Sequence, residues 1–182
     1  MITVVHPKDK TTAVLKGLYE GMDYCLVDQS MTNQEVRHVL NHANAFELMM
    51  LLGHGSDRGL YSRTDDNQEE FDRILVGKHH RYYLTKQHRL IGIWCHANLF
   101  AEEHHLSGLF TGMFISEMSE AYEYGVATSQ EELDIELPKF VHRLRSLIDE
   151  DVPFSEMPER LKAMDDVHSS LTNFNYHSVY YL

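Results

Sequence analysis

Two short segments place a histidine and a cysteine directly after strongly apolar stretches of the chain. His54 follows FELMMLLG, and Cys95 follows RLIGIW. Both stretches have the length and composition of buried strands, so each side chain stands where a predicted strand ends. In a parallel α/β sheet, the carboxyl ends of neighbouring strands meet in one crevice, where ligands bind. A thiol beside an imidazole can perform nucleophilic catalysis, which makes Cys95 and His54 the candidate catalytic pair.

Each of the two residues also has a purely structural interpretation. The chain contains 13 histidines, so His54 could be a loop histidine bonded to a neighbouring carbonyl. Cys95 could be a buried thiol at the end of a strand, which is common for cysteine. Gly55 favours a function for His54, because glycine lets the backbone approach a ligand and its N–H can point at a developing oxyanion. The polar segment CHAN, at 95–98, favours a position for Cys95 at the crevice rather than in the core.

Strand-like and helical patterns alternate along the chain. They predict an α/β fold: one αβα domain of three layers with a mostly parallel sheet. The predicted strands are ITVVHP, DYCLVDQS, FELMMLLG, HRLIGIWC, the core of LSGLFTGMFIS and, as a closing strand, NFNYHSVYYL.

The helical patterns are less regular than the strand patterns. MTNQEVRHVLNHA should begin at a cap on Thr32 or Asn33, with Glu35 completing a capping box from Thr32. Pro138 predicts that the long amphipathic helix either breaks or starts near Leu137. The other predicted helical segments are KTTAVLKGLYEGM, PERLKAMDDVHSSL and part of EEFDRILVGKHHRYYLTKQ, with Gly77 weakening the last of these. SDRGLYSRTDDNQEE predicts an exposed loop or hairpin over the site.

Length and composition predict one domain over 1–182, with C-terminal helices and a candidate closing strand in 126–182. The net charge of −12 argues against nucleic acid or an acidic membrane as partner and favours a cationic peptide or protein. Cys25 and Cys95 form no CxxC pair, so we expect no disulfide scaffold. No signal peptide or membrane span is visible, which makes the cytoplasm the simplest expected location.

The order of these motifs resembles the caspase-like peptidases, a group that includes caspases, metacaspases, clostripain, gingipains, separases and CHAT domains. GHG at 53–55 matches the group's histidine motif, and IWCHAN is similar to the Cys-His-Ser-Gly stretch of metacaspases. The resemblance covers roughly residues 1–125 and implies that they form the core of the domain. The chain departs from the family at three positions: Ala97 and Asn98 follow the cysteine where the family usually has a small residue or glycine soon after it, and Ile93 replaces an acidic residue of metacaspases.

The resemblance implies a cysteine endopeptidase without a cofactor, acting on a peptide or protein substrate. Cys95 would be the nucleophile, His54 would protonate the leaving amine, and the N–H groups of Gly55 and Cys95 would form the oxyanion hole. The segment FISEMSEAYEYG would line the pocket for the residue before the cut, where Glu117 and Glu120 could pair with a basic side chain.

Other interpretations compete with this one. Glu117 and Glu120 could be surface carboxylates near a helix N-terminus. Asp57 and Arg58, after the His-Gly turn, could contribute to the pocket or lie in an ordinary loop. The chain as a whole could be an inactive caspase-like interaction or regulatory module, or a small-molecule or metal-handling enzyme of a related fold. EEHH at 102–105 lacks the HExxH or HxxEH spacing of zinc enzymes, so we predict no metal site.

Overall fold

Nine strands form two sheets. The computed structural model describes residues 1–65 and 70–182. The strands are β1 (Ile2–Val5), β2 (Tyr24–Val27), β3 (Leu48–Leu52), β4 (Gly55–Ser56), β5 (Gly59–Ser62), β6 (Arg73–Gly77), β7 (Arg89–Ile93), β8 (Leu109–Thr111) and β9 (Val179–Tyr181). The main sheet has the order β2-β1-β3-β7-β8-β9. Its pairs are parallel except β8–β9, so the fold is α/β with a mixed six-stranded sheet.

The second sheet is antiparallel, has the order β4-β5-β6, and starts just beyond the end of β3. The prediction of partial helix in EEFDRILVGKHHRYYLTKQ is confirmed at Lys78–His80 and Arg81–Leu84, whereas residues 73–77 form a strand that was not predicted. Pairing with β5 buries Leu75 and Val76, which favours a strand there. Residues 66–69 of the predicted loop over the site lie outside the described residues.

Seven α-helices lie between the strands in the described part of the chain. They are α1 (Asn33–His42), α2 (Arg81–Leu84), α3 (Ala97–His104), α4 (Met118–Glu123), α5 (Gln130–Asp149), α6 (Met157–Met164) and α7 (Ser170–Tyr176). Thr32 and Glu35 form the predicted capping box of α1. The segment after β1 is a short 3₁₀ helix, Ala13–Leu18.

Near the C-terminus, the prediction for Pro138 was wrong, and the predicted closing strand is confirmed only in part. Helix α5 continues through Pro138, since burial of its apolar side, including Leu137 and Phe140, outweighs the hydrogen bond that proline cannot make. Within the predicted closing strand NFNYHSVYYL, residues 173–176 belong to helix α7, and residues 179–181 form the strand, β9. Ser169 caps α7 and accepts a hydrogen bond from the backbone of Thr172, which favours helix over strand.

The two faces of the main sheet belong to different hydrophobic clusters. Alternate residues of β3 separate accordingly: Leu48, Met50 and Leu52 join one cluster, and Met49 and Leu51 join the other. The first cluster includes buried residues of α5, α6 and α7, and the second includes those of α1 and α3. Within the described residues, no helix combines the length and the apolar character that crossing a membrane requires.

Candidate active site

The ends of β3 and β7 bring His54 and Cys95 to one edge of the main sheet. The two strands are parallel neighbours with Leu52 opposite Ile93, and the Gly53 N–H donates to the Ile93 carbonyl at 3.0 Å. His54 and Cys95 each follow two residues later, and both line one cleft of about 580 Å³. Pairing of the strands, far apart in sequence, thus places a thiol and an imidazole in the same cleft.

Hydrogen bonds fix the loop after β7 on both sides of Cys95. The Trp94 N–H donates to the Thr111 hydroxyl at 3.1 Å, and that hydroxyl donates to the Trp94 carbonyl at 2.8 Å. The His96 N–H donates to the Gly112 carbonyl at 3.0 Å. His96 has a φ of 67°, a left-handed conformation that few non-glycine residues adopt, and α3 begins at the next residue. This sharp turn fixes the backbone that carries the sulfur.

Hydrogen bonds to the loop after β1 orient the His54 ring. Its Nε2 lies 2.6 Å from the Thr11 hydroxyl oxygen and 3.4 Å from Asp9 Oδ1. The Thr11 hydroxyl donates its only hydrogen to Asp9 Oδ1 at 2.7 Å, so its oxygen accepts from His54 Nε2–H. Nδ1 is then the basic nitrogen of the neutral ring. Among the described residues Nδ1 makes no hydrogen bond, so it is free to take a proton.

Asp9 is the buried anchor of this arrangement. Its side chain is 6% exposed and receives hydrogen bonds from the Thr11 N–H at 2.9 Å and from Arg63 Nε at 2.8 Å, with a second bond from Arg63 Nη2. Burial by itself would raise the pKa of Asp9. The hydrogen bonds from His54, Thr11 and Arg63 outweigh burial and hold the pKa well below its usual range. Asp9 is therefore ionised and can stabilise positive charge on His54.

The surroundings of Cys95 favour the protonated thiol. Its Sγ lies 3.6 Å from Glu120 Oε1 and 3.7 Å from the Phe114 carbonyl oxygen, and it can donate to either. Burial, followed by the negative charge of Glu120, raises the pKa of the thiol to about 12. The nucleophile needs the thiolate form, so the surroundings of Cys95 must change before it can attack a carbonyl.

Carboxylates of α4 and its N-terminal cap form one wall of the cleft. Glu117, Glu120 and Glu123 all line it, and Tyr124 lies at its rim, with its hydroxyl 3.3 Å from His96 Nε2. Arg63, the arginine that lines the cleft, is paired with Asp9. The cleft therefore presents a negative surface close to the sulfur.

The two predicted oxyanion donors lie at the same end of the cleft. The Cys95 N–H donates to none of the described residues. The Tyr61 N–H donates to the His54 carbonyl at 2.8 Å, and in an antiparallel ladder the N–H of the next residue, Gly55, turns away from β5. Gly55 also lines the cleft. Within the part of the chain that the structure describes, both amide N–H groups thus lack an acceptor, and both residues line the cleft that contains His54.

Asp57 is not among the residues that line the cleft of Cys95 and His54. Together with Arg58 it lines a separate cavity of about 380 Å³, which also borders His79, His80 and His104. His104 of the EEHH segment is thus close in space to His79 and His80. No group of three or more His, Cys, Asp or Glu within residues 1–65 and 70–182 could hold a metal ion.

Sequence analysis missed Asp9, Thr11 and Arg63. Asp9 and Thr11 lie in the loop after β1, and β1 pairs with β3 in parallel. The argument that links His54 to Cys95, that parallel strands end at one edge, applies equally to these two residues. Arg63 follows β5 of the second sheet, and no pattern in the sequence indicates its proximity to Asp9.

Comparison with known proteins gives no further guide to function. No protein-family model matches the chain, and no curated protein matches it either.

Proposed function

We propose that this protein is a cysteine endopeptidase with a three-layer, caspase-like fold that cuts after basic residues. The observation that carries the proposal is the meeting of Cys95, His54 and the carboxylates Glu117 and Glu120 in one cleft at the end of β3 and β7. Thiol, base and substrate pocket are the parts that such a reaction needs.

In the proposed reaction, His54 Nδ1 takes the proton of the Cys95 thiol and the thiolate attacks the scissile carbonyl. The amides of Gly55 and Cys95 stabilise the oxyanion. The imidazolium, held by Thr11 and Asp9, then protonates the leaving amine, which produces a thioester on Cys95 and a free amino terminus. Water activated by His54 hydrolyses the thioester and restores the thiol.

The acidic wall supports a basic residue before the cut. An arginine or lysine side chain in this cleft would meet carboxylates, whereas an aspartate would meet like charges. This preference also agrees with the net charge of −12, which favours the approach of cationic peptides.

Fluorogenic peptides that differ only in the residue before the cut test the proposal. We expect cleavage after Arg or Lys and much weaker cleavage after Asp or Leu. Cys95→Ala and His54→Ala should each reduce kcat by about 10³-fold or more, because the two residues act as one unit and removal of either disables the other. Cys25→Ala is the matched control and should keep full activity. Cleavage that persists in Cys95→Ala would rule out the proposed nucleophile.

The half-buried thiol, whose contact with Glu120 favours the protonated form, supports a second candidate, a caspase-like module that binds peptides without cutting them. An arginine-based acyloxymethyl ketone, which traps catalytic thiols covalently, separates the two candidates. Labelling of Cys95 that requires His54 supports the peptidase. Reversible binding of basic peptides with neither labelling nor cleavage supports the module.

A further inference from the structure

The Cys95 thiol is in contact with a carboxylate of the substrate cleft. Sγ lies 3.6 Å from Glu120 Oε1, and its other acceptor is the Phe114 carbonyl at 3.7 Å. A thiol that donates to a carboxylate is stabilised in its protonated form, because the thiolate would face a negative charge. Glu120 is therefore placed to control whether Cys95 is a nucleophile.

Glu120 is held in this position by its other carboxylate oxygen. Oε2 accepts hydrogen bonds from the Ser116 N–H at 2.7 Å, the Ser116 hydroxyl at 3.0 Å and the Glu117 N–H at 3.2 Å. These donors direct Oε1 towards the sulfur. The contact with Cys95 thus comes from a fixed side chain near the start of α4.

The charges around Glu120 leave its own charge unbalanced. The nearby acidic groups in the cleft are Glu117 and Glu123, and the basic groups are His54, His96 and Arg63. Arg63 pairs with Asp9, His54 with Thr11 and Asp9, and His96 with the Tyr124 hydroxyl. Among the described residues, Glu120 forms no ion pair. A cation that enters the cleft would be the first oppositely charged group to pair with the Glu120 carboxylate.

We propose that Glu120 keeps Cys95 protonated until a basic side chain of the substrate enters the cleft and pairs with Glu120. The thiol then loses its acceptor and its negative neighbour, and its proton passes to His54 Nδ1. This inference rests on the proposed function for the identity of the cation, an arginine or lysine of a peptide. It makes Glu120 a specificity-determining residue that acts through the protonation of the nucleophile in addition to any role in binding.

Alkylation of Cys95 by iodoacetamide measures this control without any peptide cleavage. The reaction forms the S–C bond, releases iodide and leaves the thiol proton to solvent, at a rate that follows the thiolate fraction. The Cys25→Ala background leaves Cys95 as the single thiol. We expect n-butylguanidinium to accelerate alkylation at neutral pH by about tenfold or more, whereas its neutral isostere n-butylurea leaves the rate unchanged.

The variant Glu120→Gln tests the same residue without a ligand. It keeps an oxygen that can accept from Ser116 but removes the charge, so we expect alkylation about tenfold faster than in the parent at neutral pH and no further response to n-butylguanidinium. Glu159→Gln is the matched control for the loss of one carboxylate charge, since Glu159 is 79% exposed on α6, pairs with Lys162 and lies outside the residues that line the cleft. It should keep the slow basal rate and the response to the cation. Circular dichroism melting curves verify that both variants fold.

Two results would overturn the inference: a Glu120→Gln rate equal to that of the parent, or equal effects of guanidinium and urea on the parent. Failure of the proposed function gives a different pattern. If Glu120 controls alkylation but no basic peptide is cut, the function fails and the inference stands. If basic peptides are cut while alkylation ignores Glu120, the function stands and the inference fails.

Discussion

The indole of Trp94 lies directly against Gly55, so the residue before Cys95 holds the turn that follows His54. Trp94 Nε1–H donates to the Ser56 carbonyl at 2.9 Å. A Cβ atom at position 55 would overlap the indole ring and the Gly59 carbonyl oxygen. Close approach of backbone and ring thus requires glycine here, and it connects the two strand ends in addition to the pairing of β3 with β7.

Gly55→Ala should disturb this contact. The added methyl group has no space, so the β4–β5 turn must shift away from Trp94, at a cost of about 1–3 kcal/mol in the free energy of unfolding. We expect peptide cleavage to fall as well, because Gly55 provides one oxyanion donor. Urea denaturation and initial-rate kinetics measure the two effects.

Gly21→Ala is the control for Gly55→Ala. Gly21 has a φ of 79°, but no neighbouring atom of the described residues lies within 4 Å of the place a Cβ would take, so alanine there suffers backbone strain without overlap. It should cost about 1 kcal/mol and leave cleavage unchanged. Full activity in Gly55→Ala would show that the contact with Trp94 does not position the site.

Thr11→Val should change the hydrogen bonding of His54. Valine keeps the shape of threonine but cannot accept the Nε2–H bond, which leaves only the longer contact of that nitrogen with Asp9. We expect loss of part of the about 10²- to 10⁴-fold that a positioned acid–base group contributes to kcat. Nitrogen-15 NMR of the ring should show the Nε2–H tautomer in the wild type and a mixture in the variant.

Thr11→Ser retains the hydroxyl group and should restore both the tautomer and most of the rate. A valine variant with wild-type kcat and an unchanged ring spectrum would contradict a positioning role for Thr11.

Asp9→Asn should lower stability in a pH-dependent way. The substitution removes the buried charge that pairs with Arg63, whose side chain is 13% exposed, at a cost of about 3 kcal/mol at neutral pH. The pKa of Asp9 lies below the ordinary value of 3.8 in the folded state. Its stabilisation is therefore present above about pH 4 and disappears as the pH falls further, so the difference between wild type and variant should shrink there.

Urea denaturation across this pH range measures the difference. Asp149→Asn is the control: Asp149 pairs with Arg145 but is 52% exposed, so its loss should cost about 0.5 kcal/mol or less. Equal costs for the two substitutions would show that burial of the Asp9 pair adds nothing.

Local sequence patterns were sufficient to predict two central strands and the start of helix α1. Continuous apolar runs predicted β3 and β7, and the spacing of Thr32 and Glu35 predicted the start of α1, because burial on both faces and helix capping depend on residues close in sequence. Local patterns failed at β6, at Pro138 and at α7. In the first two cases contacts with distant parts of the chain outweigh the local preference.

The amino-acid sequence by itself determined which residues could perform chemistry and that His54 and Cys95 leave neighbouring buried strands. Only the tertiary structure decided the state of that pair. It brought Asp9 and Thr11 into contact with the His54 ring, and Glu120 into contact with the Cys95 thiol. Tautomer and protonation depend on the distances and burial of groups that come together only when the chain folds, and no pattern within a single segment carries that information.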